Sequence, residues 1–227
     1  MLIITGAAGG IGEYLLKHFV TARKDIVGFY NNSKPVFMKG VKYYKVDISN
    51  ENDINSFISA EEADLHELIL INCAAINYNS FAHKADVEKW SEIVKVNLVG
   101  TFKIVHALLP YMRKNKYGRI INFSSVVPQI GVQGTSAYSA SKSGLWGLTK
   151  SISVENSSLG ITINDINLGY FDIGIIKDVP SNSIDALIKK IPLGKLGNPA
   201  DIIRTVQYII DTEYLSGSAI NLNGGLY

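Results

Sequence analysis

The chain has 227 residues, a single cysteine (Cys73), and 22 basic against 20 acidic residues for a net charge of +2. So close a balance, with the basic residues scattered rather than gathered in a stripe, excludes an electrostatic nucleic-acid binder. One cysteine excludes an internal disulfide framework and a multi-cysteine zinc site, while 47% hydrophobic against 19% charged residues supports one sizeable core and excludes bulk disorder.

Short apolar runs alternate with stretches of helical period. Strands are expected at Leu2 to Thr5, Ile26 to Tyr30, Val41 to Val46, Leu68 to Cys73, Arg119 to Phe123, Thr162 to Ile166 and Ser218 to Leu222. Several are apolar at successive positions, as in Leu68-Ile69-Leu70-Ile71, the pattern of a strand covered on both faces. After the first strand, Ile11, Leu15, Leu16, Phe19 and Val20 recur at helical spacing. A longer helical pattern starts at Asp86 and runs through Trp90, Ile93, Val94, Asn97, Leu98, Phe102 and Val105. Pro110 is expected to kink or end it. Near the C-terminus, Asn198 reads as an N-cap with Pro199 at the first helical position, ahead of a stripe of Ile202, Ile203, Val206, Ile209 and Ile210.

This alternation predicts an α/β fold, a Rossmann-type doubly wound parallel sheet of about seven strands with helices on both faces. It is expected to form a single domain over residues 1–227. The least regular stretch, 169–197, falls where such folds carry loops over the C-terminal edge of the sheet, the edge at which ligands bind. No unbroken run of 18 or more apolar residues occurs, so no membrane span is expected. A cytoplasmic location is expected from the lone cysteine and from the absence of a signal-peptide pattern before Leu2.

The segment Thr5-Gly6-Ala7-Ala8-Gly9-Gly10-Ile11-Gly12 closes the first strand and opens the first helix. Gly6 suits a sharp turn, Gly10 lets main chain approach a phosphate, and Gly12 lets the helix pack closely. Glycines also serve ordinary tight turns, but this strand–turn–helix context favours a dinucleotide, whose pyrophosphate would meet free N–H groups at the helix start. The segment lacks the Gly-Lys-Ser/Thr ending of a nucleoside triphosphate loop. The second strand ends at Tyr30-Asn31-Asn32-Ser33-Lys34. Neither Tyr30 nor Asn31 is the acidic residue that holds both ribose hydroxyls of NAD, so NADP(H) is favoured over NAD(H).

Tyr138 and Lys142 stand four apart and share one face of any helix through them. A free phenol titrates near 10, too high for proton transfer at neutral pH, and a neighbouring ammonium is expected to lower it. Ser125, thirteen residues before Tyr138, follows a strand and could donate to the same carbonyl oxygen. Taken singly, a Tyr–Lys pair at this spacing is commonly a surface feature and a strand-end serine a turn. Their joint order behind the glycine turn is what carries the reading.

Together these motifs resemble the short-chain dehydrogenase/reductase family in its compact form, over essentially the whole chain, and within it most of all the 3-oxoacyl-carrier-protein reductases. The resemblance implies a catalytic tetrad of Asn97, Ser125, Tyr138 and Lys142. Tyr138 would be the general acid in reduction and the base in oxidation. Lys142 would lower its pKa and hold the nicotinamide ribose, Ser125 would orient the carbonyl, and Asn97 would anchor a water. For the cofactor it implies contacts from Thr5, Gly6, Ala7, Ala8, Gly9, Gly10, Ile11 and Gly12, from Tyr30, Asn31, Asp47 and Ile48, from Asn72, Cys73 and Ala74, from Tyr138 and Lys142, and from Gly169 and Phe171. It also implies a homodimer or homotetramer.

Three positions depart from the family pattern: Ala75 replaces a glycine, Leu168-Gly169 replaces a Pro-Gly pair, and Ile173 stands where a threonine often bonds the carboxamide. Cys73 is expected to pack as a small apolar residue. The substrate wall is expected from 75–78, 126–132 and 169–180, largely apolar and without arginine, which favours a neutral carbonyl or acyl chain over a keto acid. The substrate is thus a small carbonyl or alcohol. Two other readings remain at this point. A sugar-nucleotide epimerase would ordinarily need a further substrate domain, and a non-catalytic dinucleotide-binding module would be signalled by loss of Tyr138 or Lys142. The small residues Ala140, Ser141, Ser143, Gly144, Gly147 and Ser151 could serve packing within the chain or against another copy.

Overall fold

The computed structural model describes residues 1–174, 176 and 181–227. Ile175 and residues 177–180 of the expected substrate wall lie outside the described residues. Seven strands, β1 (Leu2–Thr5), β2 (Ile26–Tyr30), β3 (Val41–Lys45), β4 (Leu68–Asn72), β5 (Gly118–Ser125), β6 (Ile161–Leu168) and β7 (Ala219–Leu222), form one sheet in the order β3-β2-β1-β4-β5-β6-β7. Every pairing is parallel. The winding reverses between β1 and β4, which opens a crevice at their C-terminal ends.

Each strand alternates its side chains between two cores. On one face Ile4, Ile121 and Ile166 pack with Leu15, Leu16 and Phe19 of α1 (Gly10–Phe19) and Ile202, Val206 and Ile209 of α8 (Pro199–Asp211). On the other face Ile3, Leu70, Ile120 and Ile163 meet Phe57 of α2 (Glu51–Glu61), Leu108 and Met112 of α4 (Thr101–Asn115) and Ile152 of α6 (Ser136–Asn156). Asn198 caps α8 as expected, accepting from the Ala200 N–H at 2.9 Å. The remaining helices are α3 (Val87–Val94), α5 (Val127–Ile130) and α7 (Ser181–Ile188).

The central strands run further than their apolar runs. β5 continues through Ser124 and Ser125, paired with Asn167 and Leu168 of β6, so polar residues extend the sheet where an apolar pattern ends. Pro110 neither ends nor breaks its helix, since α4 passes through it to Asn115. Leu108 and Met112, both fully buried on either side of it, hold those turns against the sheet. The irregularity falls upstream instead, in a π-helical turn over Lys95–Gly100 between α3 and α4. Val87–Asn115 is the one helix among the described residues whose length and composition would suit a membrane crossing, although charged residues interrupt its apolar run. Here Ile104, Val105, Leu108 and Met112 from it are buried in the core.

No helix joins β2 to β3. The short crossover 31–40 is instead held by aromatic packing, with Phe37 edge-on to Tyr30 at 6.3 Å and to Tyr43 at 5.1 Å between ring centroids. Along α6 the small residues serve two purposes. A Cβ at Gly144 would meet Leu98 of the π turn at 2.5 Å, whereas one at Gly147 would meet nothing within 4 Å. The first is packing within the chain, and the second leaves an open flank.

Candidate active site

The glycine turn lies at the crevice. Gly6 has φ +70 and a Cβ there would stand 2.8 Å from the Ala74 nitrogen, while one at Gly12 would stand 2.2 Å from the Gly6 carbonyl oxygen. Both positions therefore require glycine. Helix α1 begins at Gly10 with Gly9 as its N-cap and no side chain capping it, so its first N–H groups are left for an external acceptor. This uncapped, side-chain-free helix start fits a pyrophosphate. Gly10 lies against the backbone of Gly174, 2.6 Å from where its Cβ would be, so the loop after β6 rests on the same helix start. Thr5 is buried, and its hydroxyl accepts from the Cys73 and Ala74 N–H groups, both at 3.1 Å. It ties the end of β4 to the turn.

Tyr30 ends β2 and packs on Phe37, with Asn31 beside it and half-buried. Asp47 follows β3, and its Oδ1 accepts from the Ser49 N–H at 2.8 Å. Ile48 is buried against Gly100 of the π turn. These residues line the β2–β3 end of the crevice, the side expected to face adenosine. Asn72 ends β4. Its amide donates to Asn122 Oδ1 at 2.9 Å inside the sheet, on the face it shares with Leu68 and Leu70, the one covered by α2, α4 and α6. Burial pushes the Cys73 thiol up, in keeping with a packing residue rather than a nucleophile.

Ser125 ends β5, and Tyr138 and Lys142 face it from the first turns of α6. The Ser125 Oγ accepts from the Val127 N–H at 3.1 Å, and Ser125 stands close enough to the Tyr138 phenol to pull its pKa down. The Lys142 ammonium donates to the Phe123 carbonyl at 2.6 Å and lies 5.7 Å from the Tyr138 ring centroid. The three side chains thus meet at one strand end.

The phenol is shifted in the direction opposite to the expected acidification. Burial pushes Tyr138 above its ordinary 10, with Ser125 opposing it and no contribution from Lys142. Burial also pulls Lys142 down to about 8. Desolvation of two neighbouring side chains outweighs what one does to the other.

Asn97 sits fully buried in the π turn. Its Oδ1 accepts from the Ile76 N–H at 2.8 Å, and its Nδ2 donates to the Ile76 carbonyl at 2.9 Å and to Ser141 Oγ at 3.2 Å. Its amide therefore clamps the loop after β4 onto α6. Gly169 is pressed against Asn223, where a Cβ would come within 2.6 Å of the backbone. The Phe171 ring is buried in the core shared with α8, and its carbonyl accepts from the Ile173 N–H at 2.7 Å.

Val126, Ile191 and Leu226 form an apolar cluster joined by Ile130, Tyr170 and Leu196, and Tyr170 links it to Tyr138. A cavity of about 360 Å³ opens beside this cluster, lined by Tyr170, Phe171, Ile191 and Leu222 among others. Tyr170 is close enough to Tyr138 to raise its pKa, a neighbour that no motif marks. Tyr170 belongs to the expected substrate wall; the residue missed from the sequence is Asp165, whose signal is a lone acid inside the strand Ile161-Thr162-Ile163-Asn164-Asp165-Ile166.

Comparison with known proteins agrees with this geometry. The model of the short chain dehydrogenase family matches residues 1–183. An acetoacetyl-CoA reductase of Rhizobium meliloti is 35% identical over 99% of this chain and 97% of its own length. The 3-oxoacyl-acyl-carrier-protein reductase FabG of Vibrio cholerae is 29% identical over 99% of this chain and 96% of its own. Nodulation protein G of Azospirillum brasilense is 31% identical over 99% and 96%. With a parallel sheet wound about a glycine turn, a serine–tyrosine–lysine cluster at its edge and a family match over most of its length, this chain belongs to the short-chain dehydrogenase family of oxidoreductases.

Proposed function

We propose that the protein is an NADP(H)-dependent reductase of 3-oxoacyl thioesters, working as a single catalytic domain. The observation that carries this reading is the convergence of Ser125, Tyr138 and Lys142 at one strand end, in a chain similar along its length to an acetoacetyl-CoA reductase. The glycine turn would hold the pyrophosphate, the crossover after β2 the adenosine end, and Lys142 the nicotinamide ribose. When bound, the nicotinamide supplies the hydride that makes the carbonyl carbon an alcohol carbon.

Tyr138 supplies the proton. Its O–H bond breaks toward the carbonyl oxygen, and the phenolate left behind is stabilised and reprotonated by the Lys142 ammonium. Ser125 donates to the same carbonyl oxygen and fixes its direction. Asn97 holds the floor of the site through Ile76. An apolar wall of Val126, Ile130 and Tyr170 suits an acyl chain better than a charged acid.

Assay of NADPH consumption over a panel of carbonyls should give the highest kcat/KM with acetoacetyl-CoA or a longer 3-oxoacyl thioester. Turnover of simple ketones or sugars with none on any thioester would overturn the substrate class. For the cofactor, β2 ends at Tyr30 and Asn31, with no carboxylate to repel a 2′-phosphate and with Lys34 nearby. NADPH should bind at least about tenfold more tightly than NADH, the worth of one favourable phosphate contact. A tenfold preference for NADH in direct titration would reverse this assignment.

The reading includes assembly into a dimer or tetramer. It is supported by Val99 and Phe102 exposed at the π turn and start of α4, and by Val154 exposed on α6, near the open flank of Gly147. It also includes a cytoplasmic location and a small-molecule partner, with neither nucleic acid nor membrane required.

A further inference from the structure

Asp165 occupies a position where an apolar residue would serve the sheet at lower cost. It lies in the body of β6 and is fully buried. Register sets it opposite Asn122 of β5, which is opposite Asn72 of β4, which is opposite Thr5 of β1. The four make a polar row across the sheet, one layer above the apolar row Ile3, Leu70, Ile120 and Ile163. Asn122 Nδ2 donates to Asp165 Oδ1 at 3.2 Å, and Thr149 Oγ1 of α6 donates to the same oxygen at 2.8 Å. The other oxygen, Oδ2, has no hydrogen-bond partner among the described residues.

The elements that grip this carboxyl also hold Lys142. Phe123, whose carbonyl takes the Lys142 ammonium at 2.6 Å, directly follows Asn122. Ser124 Oγ donates to the Lys142 carbonyl at 3.0 Å. Thr149 stands two helical turns after Lys142, on the same face of α6. No ion pair joins Asp165 to Lys142 among the described residues, so their attraction acts through space across a layer from which water is excluded.

The geometry points to Asp165 as a positioning residue for the proposed reaction, a buried carboxyl one layer beneath the site whose ionised form keeps Lys142 in its ammonium form. This rests on the reading of Lys142 as the group that recharges Tyr138. The charged groups facing Asp165 are Lys142 and Lys150 of α6, of which Lys150 is exposed and screened. Facing Lys142 are the Cys73 thiol and then Asp165; burial pushes the thiol up and keeps it neutral, which leaves Asp165 as the acid that can carry charge there. Burial pushes Asp165 up to about 7 and pulls Lys142 down to about 8. As pH rises the acid ionises first, and its charge then delays loss of the lysine proton.

The test is a side-chain NMR titration of the labelled full-length protein, with the Lys142 signal assigned by its loss in Lys142→Met. In Asp165→Asn the Lys142 midpoint should fall by about one pH unit, and the alkaline limb of the kcat profile should fall with it. A merely structural role would lower kcat evenly and leave both midpoints in place. Linkage requires the reciprocal effect, so in Lys142→Met the Asp165 carboxyl midpoint should rise by the same amount. That measurement decides the matter even where Asp165→Asn does not fold. Unmoved midpoints in the variants that fold overturn the proposal. Turnover of thioesters by the wild-type protein judges the functional reading separately, since the titrations need no activity.

Discussion

Tyr138→Phe is expected to lower kcat by at least about 10³-fold, with NADPH binding held within about twofold. The substitution removes one oxygen and keeps the ring, so the packing beside Tyr170 persists. The protonation state gives the prediction a direction. Burial pushes the phenol above its ordinary range, so at neutral pH it carries its proton and stands ready to donate it. Carbonyl reduction therefore starts from the form already present. Alcohol oxidation needs the phenolate, and its rate should climb with pH until the phenol titrates. Stopped-flow or steady-state assays in both directions, with cofactor titration by fluorescence, separate loss of proton transfer from loss of binding. A Tyr138→Phe protein retaining a tenth or more of wild-type kcat would remove Tyr138 from the role of proton donor.

The residues legible in the sequence are those whose chemistry is local. The glycine turn is one strand end and one helix start, so its geometry follows from spacing within eight residues. Tyr138 and Lys142 are one helical turn apart, and Asn198 caps the helix it precedes. Residues whose role depends on register were not legible in the same way. Asn72 reads as a strand-end residue near the cofactor, and the register of β4 also sets its side chain into the polar row beneath the site. Asp165 belongs to no motif, and only the alignment of β4, β5 and β6 brings it under Lys142.

Burial was the other hidden quantity. A tyrosine and a lysine four apart suggest an acidified phenol. Desolvation inside the fold moves the phenol up and the ammonium down, so each group becomes harder to ionise. The π turn at Lys95–Gly100 shows the same limit. Asn97 is a poor residue for a regular helix, but the sequence does not reveal that the helix widens there to let it clamp Ile76. Such turns are frequent at functional sites, and here the widened turn spends the amide of Asn97 on holding the loop that borders the pocket.

Lys142→Met is expected to abolish useful turnover while making the fold more stable, an opposition that follows from burial of the ammonium. Lys142 is fully desolvated, with one short hydrogen bond to the Phe123 carbonyl and no ion pair among the described residues. Moving a lysine from 10.5 to about 8 corresponds to a penalty of about 3 kcal/mol on its charged form. Methionine keeps most of the volume and removes the charge, at the cost of one hydrogen bond, about 1–2 kcal/mol. The net gain at pH 7 is then about 1–2 kcal/mol, or a rise in Tm of about 2–6 °C. Because the folded-state pKa lies below the unfolded one, the penalty is full below about 8 and fades as pH rises toward 10.5. The advantage of methionine should fade over the same window. Thermal unfolding of both proteins at pH 7 and pH 10 checks it, and a variant less stable than wild type at pH 7 would show that the Phe123 hydrogen bond and the Asp165 charge together outweigh the burial of the ammonium. The activity follows from the same charge: with no ammonium beside it, the phenolate formed at Tyr138 is neither stabilised nor reprotonated, and kcat should fall by about 10²–10⁴-fold. A site whose key cation weakens the fold at the pH where it works is one in which stability has been exchanged for proton transfer.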